Sequence, residues 1–168
     1  MSVDAHLLLG GNQGDREGLL AEARRLIAQR AGRLLAQSPL YETAPWGFDA
    51  PQRFINQAVC VRTDLSPLAL LGECMNMERE LGRKRPEVHR GYSSRTMDID
   101  IIFYGSLVID QPPTLIVPHL RMHLRRFVLQ PLADIAPSFR HPLLGLSVVE
   151  LLERCTDDGE VYVCKSGV

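Results

Sequence analysis

The chain has 168 residues, enough for one domain whose core needs no disulfide or metal staple. Hydrophobic residues make up 45% and charged residues 23%, which excludes a disordered chain and a coiled coil, and the formal net charge of -1 argues against a general nucleic-acid binder. The N-terminus lacks a basic start followed by an apolar run, and no stretch approaches a membrane span, so a cytoplasmic protein without a membrane partner is expected. Cys60, Cys74, Cys155 and Cys164 form no Cys-X-X-Cys pair and are expected to be reduced thiols.

Residues 3–9 read as an apolar strand running into Gly10-Gly11-Asn12-Gln13-Gly14-Asp15-Arg16. That turn lacks both the Gly-Lys-Ser/Thr ending of a phosphate loop and the Gly-X-Gly-X-X-Gly spacing, so a tight turn into a helix explains its glycines about as well. Leu19, Leu20, Ala23, Leu26 and Ile27 then make one helical stripe. A second strand is expected over residues 34–41, followed by a loop from Glu42 to Pro51 whose two prolines and two aromatics suggest a functional segment. The strand over residues 54–63 places Phe54 and Asn56 on one face and Ile55, Val59 and Val61 on the other. Asn56, polar among apolar neighbours, is either bonded structurally or set to meet a ligand. Ser66-Pro67 reads as a helix start and Gly82 as the position just past its end, with Leu68, Leu71, Cys74, Met75 and Leu81 between.

A basic, poorly periodic loop spans residues 83–94 and delivers the chain to a strand over residues 95–104. Alternation puts Met97, Ile99, Ile101 and Phe103 in one apolar row and Asp98 with Asp100 on the other face. Two carboxylates on one face of a strand repel, so they face water, pair with nearby arginines, or hold a hard divalent cation such as Mg²⁺. Arg83, Lys84, Arg85, Arg90 and Arg95, then Arg121, Arg125 and Arg126, form basic clusters that suit a small anionic ligand or a solvated loop. Gly105-Ser106 predicts a turn into a short strand over 107–109 that Pro112-Pro113 ends. Residues 128–135 read as helix or turn, 146–155 as a helix, and 161–164 as a last strand. The element order points to one α+β domain, a sandwich with a mostly antiparallel sheet and helices on its faces.

Six segments in order resemble the 6-hydroxymethyl-7,8-dihydropterin pyrophosphokinase family. They are Leu9-Gly10-Gly11-Asn12 with Gly14-Asp15-Arg16, Ser38-Pro39-Leu40-Tyr41-Glu42-Thr43 with Pro45, Phe54-Ile55-Asn56, Glu78 with Gly82-Arg83, residues 95–101, and Val117-Pro118-His119 with Arg125 and Phe127. The resemblance implies a ferredoxin-like fold spanning residues 1–168 and transfer of diphosphate from ATP to the pterin's hydroxymethyl group, releasing AMP. It implies Asp98 and Asp100 as ligands of two Mg²⁺ ions and Arg83 and Arg95 as catalytic arginines. On the pterin side it implies Thr43, Pro45, Trp46, Phe54, Asn56 and Phe127. The ATP side would draw on Leu71, Met75, Glu78, Arg85, Arg90, Tyr92, Ile101, His119 and Arg125. A monomer acting on ATP and the pterin, with no nucleic-acid partner, is expected.

The chain departs from the family's usual pattern at Gly11, at Leu120 and at Tyr92-Ser93-Ser94. The chemistry still hangs together, because diphosphate transfer needs positioning and charge neutralisation more than covalent work. A nucleotidyltransferase or an ordinary kinase would use the same carboxylates but give another product. An RNA-binding module would show a Gly-Phe/Tyr-Gly-Phe type strand signature, which this sequence lacks.

Overall fold

Strand β1 (Val3–Gly11) runs between two antiparallel partners, β4 (Phe54–Thr63) and β5 (Asp98–Tyr104). The computed structural model describes residues 2–43, 53–82 and 97–164. Across the main sheet the order is β5-β1-β4-β3-β8, with β3 (Tyr41–Thr43) and β8 (Val161–Val163) short, and β2 (Arg33–Gln37) also pairs β4. A separate hairpin joins β6 (Ile109–Gln111) to β7 (Leu115–Val117). Among the described residues every strand pairing is antiparallel, in line with the mostly antiparallel sheet expected.

Alternation gives the sheet two buried faces. Ala5, Leu7, Leu9, Ile55, Val59, Val61, Ile99 and Ile101 meet helices α1 (Arg16–Arg30) and α2 (Pro67–Gly82) through Leu20, Ala23, Ile27, Leu70, Cys74 and Met77. Leu8, Ala58, Ile102 and Phe103 meet α3 (Arg126–Ile135) and α4 (Val148–Arg154) through Val128, Leu129, Leu132, Val148 and Leu151. The expected helix stripe on α1 is present, with Leu20, Ala23, Leu26 and Ile27 buried. Asp15 caps α1 by accepting from Gly18 N at 3.1 Å, and Ser66 Oγ accepts from Ala69 N at 3.2 Å where α2 begins. Arg30 clasps both oxygens of Glu80, tying the two helices together.

Four sequence expectations change. The strand over 34–41 breaks into β2 and β3 because Ser38 bonds Ala58 through both its N–H and its hydroxyl, and Pro39 follows without a donor of its own. Phe103 leaves the row of Met97, Ile99 and Ile101: His6 pairs with Phe103 and Leu7 with Ile101, so Ile102 is an unpaired bulge residue that turns Phe103 toward α3 and α4. The short strand starts at Ile109 rather than Leu107, whose side chain and that of Val108 are exposed. Gly82 is the last residue of α2 rather than the one after it. The 128–135 segment is a helix, and Pro131 inside it, which lacks an N–H for Phe127 O, explains why the sequence left helix and turn open. All four cysteines are free thiols, Cys60 and Cys74 buried.

Under the α3 and α4 face lies a histidine and phenylalanine cluster. His6 is buried edge-on to Phe103 at a centroid distance of 5.8 Å and its Nδ1 makes no hydrogen bond, while His141 Nδ1 accepts from Leu143 N and Leu144 N. Burial holds both pKa values below the ordinary 6.5, against a small opposite pull of Asp4 on His6 and with a further push from His123 on His141. The folded protein therefore keeps these rings neutral while the unfolded chain protonates them. Their stabilising effect is complete above the unfolded value of 6.5 and is lost as pH falls from there through the depressed folded values. The melting temperature should be flat above neutrality and drop on acidification below about pH 6.5. His6→Gln should flatten that acid limb, and an unchanged slope in this variant would remove His6 from the account.

Candidate active site

The register draws a line of three residues across the sheet: Asn56 on β4 pairs with Gly10 on β1, which pairs with Asp98 on β5. Two residues along, Ala58, Leu8 and Asp100 form the next line. Asn56, Asp98 and Asp100 thus share the face opposite α1 and α2, at the sheet end that leads into the Gly10-Gly11 turn. A side chain at position 10 would displace the Asn56 amide, because a Cβ there would sit 2.4 Å from Asn56 Oδ1. The sequence reading ended the strand at Leu9 and took Gly10 as a turn residue; β1 runs on through Gly10 to Gly11.

On one side of this line the residues suit a flat polar ligand. Asn56, 5% exposed, donates through Nδ2 to Thr43 Oγ1 at 3.2 Å, a bond that uses one of its two amide protons. Thr43 pairs with Phe54, which is half-buried at the start of β4. Phe127, half-buried in the first turn of α3, packs against the core on this same face, with the Arg125 guanidinium 5.7 Å from its ring centre. α3 is held in place by Tyr41, whose hydroxyl donates to Asp134 and whose pKa burial, then Asp134, pushes up to about 12. At its other end Arg126 N donates to Asp157 Oδ2 at 3.0 Å, and the Arg126 guanidinium donates to the carbonyls of Cys155 and Asp157. Arg126 is therefore structural.

On the other side lie the carboxylates. Asp98 is half-buried and Asp100 exposed, while Ile99 and Ile101 between and beyond them are buried on the opposite face. Among the described residues no group of three or more His, Cys, Asp or Glu is placed to hold a metal ion. Two carboxylates alone fit Mg²⁺, which keeps several waters and completes its octahedron with substrate phosphates, and do not fit a closed structural zinc centre. Glu78 on α2 accepts from Ile99 N at 2.7 Å, pinning the main chain between the two aspartates. Cys74, one turn earlier, has its pKa pushed up to about 12 by burial first and then by Glu78 and Asp100, so this thiol is inert.

His119 N donates to Ile102 O at 3.0 Å, which fastens the chain after β7 to β5. Its Nδ1 accepts from Arg121 N at 3.3 Å, leaving Nε2 as the proton-bearing nitrogen and a donor. Burial, then Arg125 and Arg121, hold its pKa below the ordinary value, so it acts as a neutral donor in a locally cationic setting. Leu71 is partly buried against the α1 and α2 core, Met75 is exposed, and Ile101 is buried on the outermost strand. Pro45, Trp46, Arg83, Arg85, Arg90, Tyr92 and Arg95 lie outside the described residues. The structure thus brings Thr43, Phe54 and Asn56 together with Asp98 and Asp100 at one end of one sheet face.

The class this defines is an α+β enzyme with an oxygen-donor pair beside a polar, partly aromatic recognition site. The family model described as "7,8-dihydro-6-hydroxymethylpterin-pyrophosphokinase (HPPK)" matches residues 6–137, and the chain belongs to that family. A Porphyromonas gingivalis protein named 2-amino-4-hydroxy-6-hydroxymethyldihydropteridine pyrophosphokinase is 43% identical over 137 residues, covering 82% of this chain and 92% of that one. A Methylorubrum extorquens protein of the same name is 42% identical over 157 residues, covering 92% and 95%. Among solved structures, wild-type Plasmodium falciparum HPPK-DHPS with pteroate superposes at a TM-score of 0.73 with 16% identity, over 92% of this chain and 44% of that one. That likeness shows the ferredoxin-like fold. The chain spans under half of the HPPK-DHPS protein's length. Among the described residues no helix is long and apolar enough to cross a membrane.

Proposed function

We propose that this chain, as one catalytic domain, transfers diphosphate from ATP to the hydroxymethyl group of 6-hydroxymethyl-7,8-dihydropterin, giving AMP and the pterin diphosphate. The observation that supports the reading is the line Asn56–Gly10–Asp98, which puts an amide and a carboxylate on one sheet face, on the two strands β4 and β5 that flank β1.

Asn56 meets the amide-like edge of the pterin while Thr43 holds its orientation, and Phe54 and Phe127 bind the ring faces. Asp98 and Asp100 would hold two Mg²⁺ ions, whose chemistry there is neutralisation of phosphate charge and activation of the attacking hydroxyl. Neutral His119 donates through Nε2 to a phosphate oxygen, and Arg125 adds positive charge beside it. Arg83 and Arg95, matched to the family by sequence, grip phosphate oxygens through paired N–H groups. No protein base is assigned. Positioning and electrostatics do the work.

Phe127→Ala separates the two halves of the site. It should weaken pterin binding by roughly tenfold, since ring stacking contributes about 0.5–1.5 kcal/mol beyond area burial. ATP binding should be kept. Calorimetric titration of each ligand reads both, and a variant that loses ATP while keeping the pterin contradicts the assignment of Phe127.

A further inference from the structure

We propose that Arg16 is a positioning residue for the pterin-binding end of the sheet, acting from the face opposite the substrate; the inference rests on the reading of the site given above. Arg16 is the first residue of α1, where a positive charge opposes the helix dipole, so the helix itself gives no reason for an arginine there. Its side chain, 20% exposed, reaches the sheet instead. One nitrogen, Nη1, donates to Glu42 Oε2 at 2.9 Å and to the Arg53 carbonyl at 2.8 Å.

Those two acceptors flank the pterin residues. Glu42 pairs with Ile55, whose side chain packs on the α1 side of the sheet, and the next residue, Thr43, turns to the other face and pairs with Phe54. Arg53 immediately precedes Phe54. A single guanidinium nitrogen therefore fixes the neighbours of both Thr43 and Phe54, and Thr43 in turn orients the Asn56 amide. Strand β3 has only three residues, paired with β4 on one edge and with the equally short β8 on the other, so the Arg16 contacts add a side-chain anchor to a short ladder. The aspartate end is anchored independently, by Glu78 on Ile99 N. Loss of Arg16 should thus be felt at the pterin and not at ATP.

Steady-state kinetics of the full chain tests this with Arg16→Gln, Arg16→Lys and Glu42→Gln. Hydrogen bonds to charged groups contribute enough that Arg16→Gln should raise the pterin KM by about tenfold, with the ATP KM and the saturated kcat within about twofold of the wild type. Arg16→Lys should restore most of the loss, because one nitrogen makes both contacts. A pterin KM in Arg16→Gln equal to that of the wild type, or a parallel rise in both KM values, overturns the proposal. If Arg16→Gln does not fold, Glu42→Gln decides: a selective rise in the pterin KM supports the role and an unchanged one rejects it. Absence of pterin-dependent turnover in the wild type overturns the diphosphokinase reading itself, and the role of Arg16 falls with it.

Discussion

Alanine at Asp98 or Asp100 is expected to lower diphosphate transfer by at least about a hundredfold, because metal stabilisation of phosphoryl charge is worth several kcal/mol. The fold should survive. Asp100 is exposed and contributes nothing to either core, so its removal should change stability by no more than about 0.5 kcal/mol. Affinity for ATP in the presence of magnesium should fall in the same variants, while pterin affinity, carried by Asn56 and the aromatic rings, should hold. Turnover near the wild-type rate in either variant, measured at saturating magnesium, would falsify the placement of the metal on this strand.

Asn56→Ala should have the second largest effect, a loss of pterin affinity on the order of a hundredfold. A site built to hydrogen-bond a polar edge leaves that edge unpaired when the partner is removed, at about 1–3 kcal/mol for each group. Asn56→Asp is the sharper probe. It keeps the shape and an acceptor, removes the amide that donates to Thr43, and adds a negative charge in line with Asp98 across Gly10. Both variants should bind ATP as the wild type does. A pterin dissociation constant unchanged in Asn56→Asp would mean that the amide serves only Thr43.

Much of this geometry was legible because strand alternation is a local property. The faces of Phe54 and Asn56 on β4, and of Asp98 and Asp100 on β5, follow from period two and stand as expected. The start of α2 was legible for the same reason, since Ser66-Pro67 is a local signal, whereas the caps Asp15 and Ser147 with Glu150 were not read from the sequence and the last helix starts at Val148 rather than Leu146. What depends on a partner strand was not legible. The bulge at Ile102 is set by the register of β5 against His6 and Leu7 on β1, so nothing within residues 98–104 marks it. The break after Gln37 depends on Ser38 meeting Ala58, 20 residues on. Glu78 was placed on the nucleotide side by resemblance; its bond to Ile99 N joins a helix to the outermost strand across 21 residues. Arg16 is the same kind of case, since its acceptors, Glu42 on β3 and the Arg53 carbonyl just before β4, lie 26 and 37 residues away.

The fusion structures that share the fold carry it within chains more than twice as long, while the Porphyromonas gingivalis and Methylorubrum extorquens relatives are close to this chain in length. Asn56 comes from β4 and Asp98 and Asp100 from β5, the two strands that flank β1 in the main sheet, and Thr43 and Phe54 from its β3–β4 pair.

The most direct measurement follows the phosphorus. With ATP labelled at the β-phosphate, magnesium and the reduced pterin alcohol, the wild-type chain should move the label onto the pterin and release unlabelled AMP in equal amount. Label retained in ADP, or a nucleotide joined to the pterin with release of pyrophosphate, would contradict the account and make the chain a kinase or a nucleotidyltransferase.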